Sequence, residues 1–246
     1  MPAPTIVTEG SWAGTQYEFP TGNNNGVIIS WYNFSQDFPT FIGMGGQAAV
    51  RIGPEYFDTV DSFNGMAFYF LDEVAMIAAN DGSASATPMF GVTDTGAVGT
   101  GGVWIFEGLD QVNPLGAVGF SRVSQTIPNP LTFDFDIGPG TTGQGTGTST
   151  ADQLIIAHVQ SGGNTAASQD TISGLTSFAS SNEQRSLHTG PSLGNGATYT
   201  LENLDPVGGT GSSSRAKTIL AAGVNGIPGP PAPALFRRRG FRQYAY

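Results

Sequence analysis

The stretch LTFDFDI at residues 131–137 shows the pattern on which the fold prediction rests. Apolar side chains occupy every second position from Leu131 to Ile137, and threonine or aspartate fills the positions between them. Because side chains alternate across a β-strand, this spacing turns one face toward a core and the other toward water. The stretch VWIFE at residues 103–107 is apolar on both faces at first, which predicts a central strand or one covered by a loop.

The same kind of pattern extends along most of the chain. Short apolar stretches rich in Val, Ile, Phe, Tyr and Trp are separated by Gly, Asn, Asp, Ser and Pro, which is typical of strands and turns. Residues 71–79 fit either a short helix or an extension of the strand before them. The absence of crossover helices favours an all-β fold, an antiparallel two-sheet β-sandwich that is jelly-roll-like. Strands are predicted at residues 5–8, 26–33, 48–52, 66–70, 88–92, 103–107, 117–123, 131–137, 153–159, 197–201 and 216–224.

Composition excludes several classes of function. The 246 residues contain no cysteine, which excludes disulfides, thiolate zinc sites and cysteine nucleophiles. The formal net charge of −10 makes nucleic acid an unfavourable main partner. No apolar run approaches the roughly 20 residues that span a bilayer, so no membrane partner is expected. The N-terminal sequence MPAPT lacks the basic and apolar regions of a secretory signal.

Charge is divided unevenly between a body, residues 1–226, and a C-terminal arm, residues 227–246. Residues 1–236 hold nineteen acidic and five basic side chains, a net charge of −14, whereas the last ten residues hold four arginines and no acid. The arm begins with IPGPPAP at residues 227–233, and its four prolines predict an extended, semi-rigid segment. The basic and aromatic residues that follow are Arg237, Arg238, Arg239, Phe241, Arg242, Tyr244 and Tyr246.

This basic, aromatic end fits three interpretations. Clustered arginines neutralise phosphates and so could contact nucleic acid. They could instead dock on an acidic protein surface, where arginine pairs with carboxylates and the rings supply buried area. The end could also have no role. The stiff arm and the interleaved rings favour docking on a protein partner.

Four stretches follow one another along the chain: a Gly-Gly step into a strand, a strand ending in a Gly-Leu-Asp turn and a proline, an apolar strand followed by Gly-Gly, and an alanine-rich final strand. Their sequences are IGMGGQAAV at 42–50, VWIFEGLDQVNP at 103–114, ADQLIIAHVQSGG at 151–163 and AKTILAAG at 216–223. In this order they resemble a β-sandwich found in virion accessory proteins of tailed bacteriophages and prophages.

The resemblance implies a non-enzymatic structural protein of the virion, displayed on the particle surface as a capsid decoration or tail-associated protein. It would assemble in the host cytoplasm, contact other virion proteins as a homo-oligomer, and need no cofactor. The basic, aromatic arm is not part of the family pattern, and its expected role as an anchor on a neighbouring acidic subunit rests on its arginines and rings alone. Two alternatives stay open: a lectin-like adhesin that binds host surface glycans, and a polysaccharide-degrading enzyme with a sandwich fold.

Candidate chemical residues are few. Asp134 with Asp136, and Asp58 with Asp61, could act as paired carboxylates or bind a cation, although acids on a wet strand face are usually only solubilising. His158 is expected to be a surface or partly buried polar residue, and His188 to lie in a loop. A Ser-His-Asp triad has no supporting motif, because no Gly-x-Ser-x-Gly sequence occurs.

Aromatic residues are dense in the first forty positions and could stack on sugar rings. Trp31 and Trp104 are predicted to lie in the core, whereas Trp12 and Tyr17 are candidates for glycan contact. The sequence NNNG at residues 23–26 predicts a hairpin turn.

Two further features concern organisation of the chain. The glycine-rich residues 138–150 predict a surface loop rather than a phosphate site, since no GKS or GKT follows. VWIFEGLDQVNP at residue 103 and YTLENLDPV at residue 199 share a faint likeness, which suggests either an internal duplication or similar turn chemistry.

Overall fold

The computed structural model describes residues 2–11, 16–19, 22–33, 38–57, 65–79, 89–96, 99–123, 131–133, 144–145, 148–161, 169–178, 185–204 and 217–228. These residues form eighteen strands and one helix. The strands of the first half are β1 (Thr5–Ser11), β2 (Gln16–Glu18), β3 (Gly26–Asn33), β4 (Phe41–Met44), β5 (Gln47–Ala48), β6 (Val50–Phe57), β7 (Gly65–Leu71), β8 (Met89–Thr95) and β9 (Gly102–Glu107), with helix α1 (Glu73–Ala79) after β7. Those of the second half are β10 (Leu115–Val123), β11 (Leu131–Phe133), β12 (Gln144–Gly145), β13 (Leu154–Ser161), β14 (Gln169–Ile172), β15 (Thr176–Ser177), β16 (Arg185–Pro191), β17 (Tyr199–Leu204) and β18 (Lys217–Val224).

The strands of the first half pair in a nested order. The first strand, β1, pairs with the last, β9, while β2 pairs with β8, β3 with β7 and β4 with β5, all antiparallel. This nesting produces two sheets, ordered β1-β9-β3-β7-β6 and β2-β8-β4-β5. Folding a long antiparallel ribbon over on itself in this way is the arrangement of a jelly roll, which confirms the all-β sandwich prediction.

The second half repeats that order with different strands. Strand β10 pairs with β18, β11 with β17 and β13 with β16. The resulting sheets are β12-β10-β18-β13-β16-β15 and β11-β17-β14. The described residues therefore form four sheets in two jelly rolls, rather than the single pair of sheets that the sequence predicts. The extra sheets contain predicted strands (β8, β11 and β17) together with short strands that the sequence pattern does not predict, such as β2, β4 and β14. We call β2-β8-β4-β5 and β11-β17-β14 the outer sheets, and the other two the inner sheets.

The largest hydrophobic core lies between the inner sheets of the two halves. It joins Trp104, Phe68 and Tyr56 of the first half to Phe120, Leu187 and Leu220 of the second. Gly102 on β9 lets the sheets approach, because a Cβ there would lie 2.8 Å from the Leu187 side chain. Separate smaller cores fill each jelly roll, one around Trp31 and Met44 and one around Ile155 and Tyr199. The shared core makes the two jelly rolls one body.

Helix α1 settles one of the alternatives that the sequence left open. Asp72 caps it, since the Asp72 Oδ1 accepts the Ala75 N–H at 2.7 Å. The helix buries Met76 in the core of the first jelly roll and leaves Val74 and Ile77 exposed. Residues 73–79 are therefore helical, and Leu71 ends the strand before them.

Candidate functional site

Both ends of the described chain meet at one end of the first jelly roll. Asn225 follows β18, and its carbonyl accepts the Asp110 N–H at 3.0 Å. The Ile227 N–H then donates to the Gly108 carbonyl, also at 3.0 Å. A Cβ on Gly226 would collide with the Pro2 carbonyl, so only glycine fits where the two terminal segments cross. We call this region, formed by residues 22–25, 72–74, 108–114 and 225–228, the terminal end.

The turn at Asn23 and Asn24 builds one side of the terminal end. Both residues have left-handed backbone angles, with φ of 62° and 55°, which asparagine tolerates better than most residues. Their carbonyls accept the N–H groups of Gly108 and Leu109 at 3.0 Å. The hairpin prediction is wrong here, because the turn joins β2 in the outer sheet to β3 in the inner sheet. Jelly-roll connections cross between sheets, so adjacent strands in sequence need not pair.

Gln111 ties the pieces of the terminal end together. Its Oε1 accepts the Glu73 N–H at 2.9 Å, at the start of α1. Its Nε2 donates to the carbonyls of Asn24, Asn25 and Leu109 at 3.1–3.2 Å. One side chain thus bonds the helix, the asparagine turn and the connection between the two jelly rolls. Sequence reasoning missed Gln111, because a glutamine in a turn has no local signature for such a role.

Asp110 sets the shape of the connection between the halves. It is 9% exposed, and its Oδ1 accepts the N–H groups of Val112 and Asn113 at 2.9 and 3.0 Å. A carboxylate that bonds the backbone two and three residues ahead forms a tight local turn. The turn holds Val112 outward, where 83% of its surface is exposed.

Two carboxylates accept hydrogen bonds from the 22–25 turn of the terminal end. The Glu107 Oε1 accepts a hydrogen bond from the Asn23 Nδ2 at 2.8 Å, and a Glu73 oxygen accepts the Gly22 N–H. Arg51 lies outside the terminal end and pairs with Glu55 on β6. The residues of the terminal end include Asp72, Glu73 and Asp110 but no lysine or arginine.

The arm itself lies outside the described residues beyond Pro228. This includes the predicted anchor residues Arg237, Arg238, Arg239, Phe241, Arg242, Tyr244 and Tyr246. The structure does place the root of the arm, because Ile227 is hydrogen-bonded to Gly108. The arm therefore starts at the terminal end.

The two histidines are not where the sequence placed them. His158 is fully buried on β13, with its ring 6.2 Å from that of Tyr32 in the core between the jelly rolls. The expected surface or partly buried position is wrong, because β13 lies inside a six-stranded sheet that is covered on both faces. His188 lies on strand β16, not in a loop, and is also fully buried. Its Nε2 is 2.9 Å from the Ser186 Oγ.

The histidines also fail to converge on one site. In the register of the sheet His158 is opposite Leu187, and His188 is opposite Ala157. Since Leu187 and Ala157 belong to cores on different faces of the sheet, the two imidazoles face opposite ways. Among the described residues, no group of three or more His, Asp or Glu side chains is arranged to hold a metal ion.

Aromatic residues of the first forty positions mostly pack inside. Trp31 and Trp104 are fully buried, as predicted, and Phe38 packs on Trp31 with ring centroids 4.9 Å apart. Tyr17 is only 4% exposed, and its hydroxyl donates to the Ser11 carbonyl. Tyr17 therefore offers no open ring face to a sugar, and Trp12 lies outside the described residues.

The remaining candidates are only partly described. Asp58, Asp61, Asp134 and Asp136 lie outside the described residues. Within the glycine-rich segment, residues 144–145 form strand β12 beside β10, and Ser149 is 1% exposed. The surface-loop prediction is therefore wrong for these residues.

One further carboxyl has an altered acidity. Glu9 on β1 lies opposite Trp104 in the sheet register, facing the core between the jelly rolls. Burial raises the pKa of Glu9 to about 7 from its ordinary value of 4.5. Its Oε2 is buried with no hydrogen-bond partner among the described residues.

The one helix that the structure describes, α1, has seven residues, and no described helix is long and apolar enough to cross a membrane.

Comparisons of the chain with protein-family models, with curated proteins and with solved structures found no match.

Proposed function

We propose that this chain is a non-enzymatic structural protein of a virus particle, held in or on the particle surface by its C-terminal arm. The observation that carries the proposal is the nested strand pairing, which occurs once in each half of the chain. Jelly rolls of this kind recur in viral capsid proteins and in lectins. The phage virion proteins that the sequence resembles point in the same direction.

The shared core supports a building-block role. Two jelly rolls that bury Trp104, Phe120 and Leu220 between them form one thick body in which neither half needs to move independently. A particle subunit must present fixed surfaces to several neighbours at once. Two jelly rolls that share their largest core hold their outer surfaces fixed relative to each other.

The arm supports attachment to another protein of the particle. Its root is fixed at the terminal end by the Ile227 hydrogen bond, and its last ten residues carry four arginines and no acid. Virion subunits occur in many copies, so even a weak contact for each arm gives strong retention through avidity.

Deleting residues 229–246 tests the proposal. This truncation keeps Ile227 and Pro228 and removes no described residue. Particles assembled with the truncated chain should lose it, whereas circular dichroism should show the same β-content as the full chain. The control is a full-length chain with Arg237, Arg238 and Arg239 replaced by lysine, which keeps the charge and should retain partial occupancy. Normal occupancy of the truncated chain, measured by particle immunoblot or cryo-electron microscopy, would contradict the anchoring role.

A glycan-binding adhesin is the alternative, because lectins share the jelly roll. That function needs exposed aromatic rings, and the burial of Tyr17 leaves Trp12 as the aromatic candidate that the sequence analysis named. A glycan array probed with the wild-type chain and with Trp12→Ala separates the two functions. Sugar binding that is lost in Trp12→Ala would favour the adhesin. A polysaccharide-degrading enzyme would instead release sugars from host surface polymers.

A further inference from the structure

The terminal end carries an apolar surface that no described part of the chain covers. Val112 is 83% exposed, Val74 is 74% exposed and Ile227 is 38% exposed. Hydrogen bonds fix their three segments to one another, from Glu73 to Gln111 and from Ile227 to Gly108. The three exposed side chains therefore lie on segments that hydrogen bonds hold together at the terminal end. We call the surface formed by Val74, Val112 and Ile227 the valine surface.

The charge around the valine surface is opposite to that of the arm. Glu73 precedes Val74 in the sequence, Glu107 precedes Gly108, and each uses one carboxylate oxygen to accept a hydrogen bond from the 22–25 turn. A carboxylate has two oxygens, so each of these side chains can also pair with a guanidinium group. The last ten residues of the chain supply four arginines, together with Phe241, Tyr244 and Tyr246. Arginine pairs with carboxylates through two parallel hydrogen bonds, and aromatic rings cover apolar side chains.

The length of the proline segment bears on which surface the basic end could reach. Residues 227–233 contain four prolines, and an extended proline-rich segment rises about 3.1 Å per residue. If extended, this segment alone would span roughly 20 Å, and the arginines follow it. An arm of this length is long enough for its basic end to reach a neighbouring copy.

We infer that the valine surface of one copy binds the basic, aromatic tail of a second copy of this chain. The inference rests on the proposed role of the arm in attachment, and it names the partner and the docking surface. Because the arm's root and the valine surface share the terminal end, two copies facing each other can exchange arms reciprocally. Such a two-fold exchange closes after two subunits and gives a dimer, not an open filament.

Three full-length variants test the inference. The surface variant Val74→Lys/Val112→Lys places positive charge on exposed side chains, so folding should not change. The arm variant replaces Arg237, Arg238 and Arg239 with glutamate. The matched control Thr93→Lys/Thr100→Lys adds the same charge at exposed positions on β8 and beside β9, away from the terminal end. Analytical ultracentrifugation at 50 mM and 500 mM NaCl measures the association of each.

The wild type and the control should form dimers that weaken at least about tenfold at the higher salt, because exposed charge pairs are screened. The surface variant and the arm variant should each be monomeric. Mixed together they should form a one-to-one dimer, since one intact arm meets one intact surface.

Two results would overturn the inference. One is a wild type that stays monomeric at every concentration, and the other is a surface variant that dimerises as well as the control. Neither result touches the proposed function, because loss of the truncated chain from particles is measured separately. A monomeric wild type whose incorporation still needs the arm would mean that the arm binds a different protein of the particle.

Discussion

The two jelly rolls share one connectivity but fill it with different side chains. In the first half the outward face of β7 carries Ala67, Tyr69 and Leu71, all buried in an apolar core. On the corresponding strand of the second half, β16, the same face carries Ser186 and His188. The second core also contains the small side chains Ala117, Ala157 and Ala221. Nested pairing therefore does not depend on a particular set of core residues.

The inner faces differ less, because they form a common core. Trp104 of the first half lies edge-on to Phe68 at 6.5 Å and to Phe178 of the second half at 6.0 Å. Each half therefore completes the other's largest apolar surface. We expect the halves to unfold together in spite of their separate outer cores.

The largest effect is expected from Trp104→Ala, which would break the link between the halves. Removing a buried aromatic ring costs about 3–5 kcal/mol of unfolding free energy. Because the ring contacts both halves, urea denaturation followed by circular dichroism should give one transition at a lower midpoint. Val50→Ala, at an exposed position on β6 outside the valine surface, is the control and should stay within about 0.5 kcal/mol of wild type. Two separate transitions, one of them unchanged, would show that the jelly rolls are independent.

A smaller effect is expected from Ala221→Leu, which tests whether the second outer core depends on its small side chains. Ala221 is fully buried on β18, opposite Gly119 and Ala157 in the sheet register. Overpacking a filled core costs about 1–3 kcal/mol. Ala78→Leu, exposed on α1, adds the same volume without burial and should be nearly neutral. An unchanged denaturation midpoint for Ala221→Leu would mean that the second core has spare volume.

The smallest effect is expected from Glu9→Gln, and it depends on pH. Glu9 on β1 faces the core shared by the two jelly rolls. On β10, the corresponding strand of the second half, Phe120 faces this core and lies opposite Leu220 of β18. The pKa of Glu9 is about 7 in the folded chain, whereas its ordinary value is 4.5. Between pH 4.5 and pH 7 the folded chain therefore keeps a proton that the unfolded chain has lost. The free energy of unfolding of the wild type therefore falls as pH rises through this window.

At pH 8, Glu9→Gln should be more stable than the wild type by about 1–2 kcal/mol, after allowing for solvent screening of this half-exposed group. At pH 4 the difference should nearly vanish, since the wild-type carboxyl is then neutral in both states. Urea midpoints at the two pH values measure it. An equal difference at both pH values would show that the Glu9 carboxyl is not responsible.

Much of the strand content could be predicted from the sequence. Each of the eleven predicted strands overlaps an observed one, because apolar alternation is a local property of a strand. The missed strands, β2, β4, β12, β14, β15 and β16, are short or polar. Strand β16 reads RSLHTGP, and no local pattern shows that its serine and histidine are buried. Their burial depends on the sheets above and below them.

The repeat of the fold was suggested in sequence at the wrong place. The sequence likeness between residues 103–114 and 199–207 matches β9 with β17. Strand β9 is the last strand of the first jelly roll, whereas β17 is the last but one strand of the second. These strands are not equivalent, since β9 corresponds to β18 in the nested order. The likeness therefore does not mark the repeat of the fold, which shows itself in the pairing of strands.

By itself, the sequence determined the all-β class, the buried tryptophans at positions 31 and 104, and the contrast between an acidic body and a basic end. These features follow from the local period of apolar side chains and from composition. Tertiary structure alone decided the nesting of strands, the core shared by two jelly rolls, the burial of His158 and His188, and the meeting of both terminal segments at one end. Such features depend on contacts between residues that are far apart in the chain, such as Thr5 with Glu107 and Leu115 with Val224. A local pattern fixes which face of a strand is apolar but not which strand will cover it.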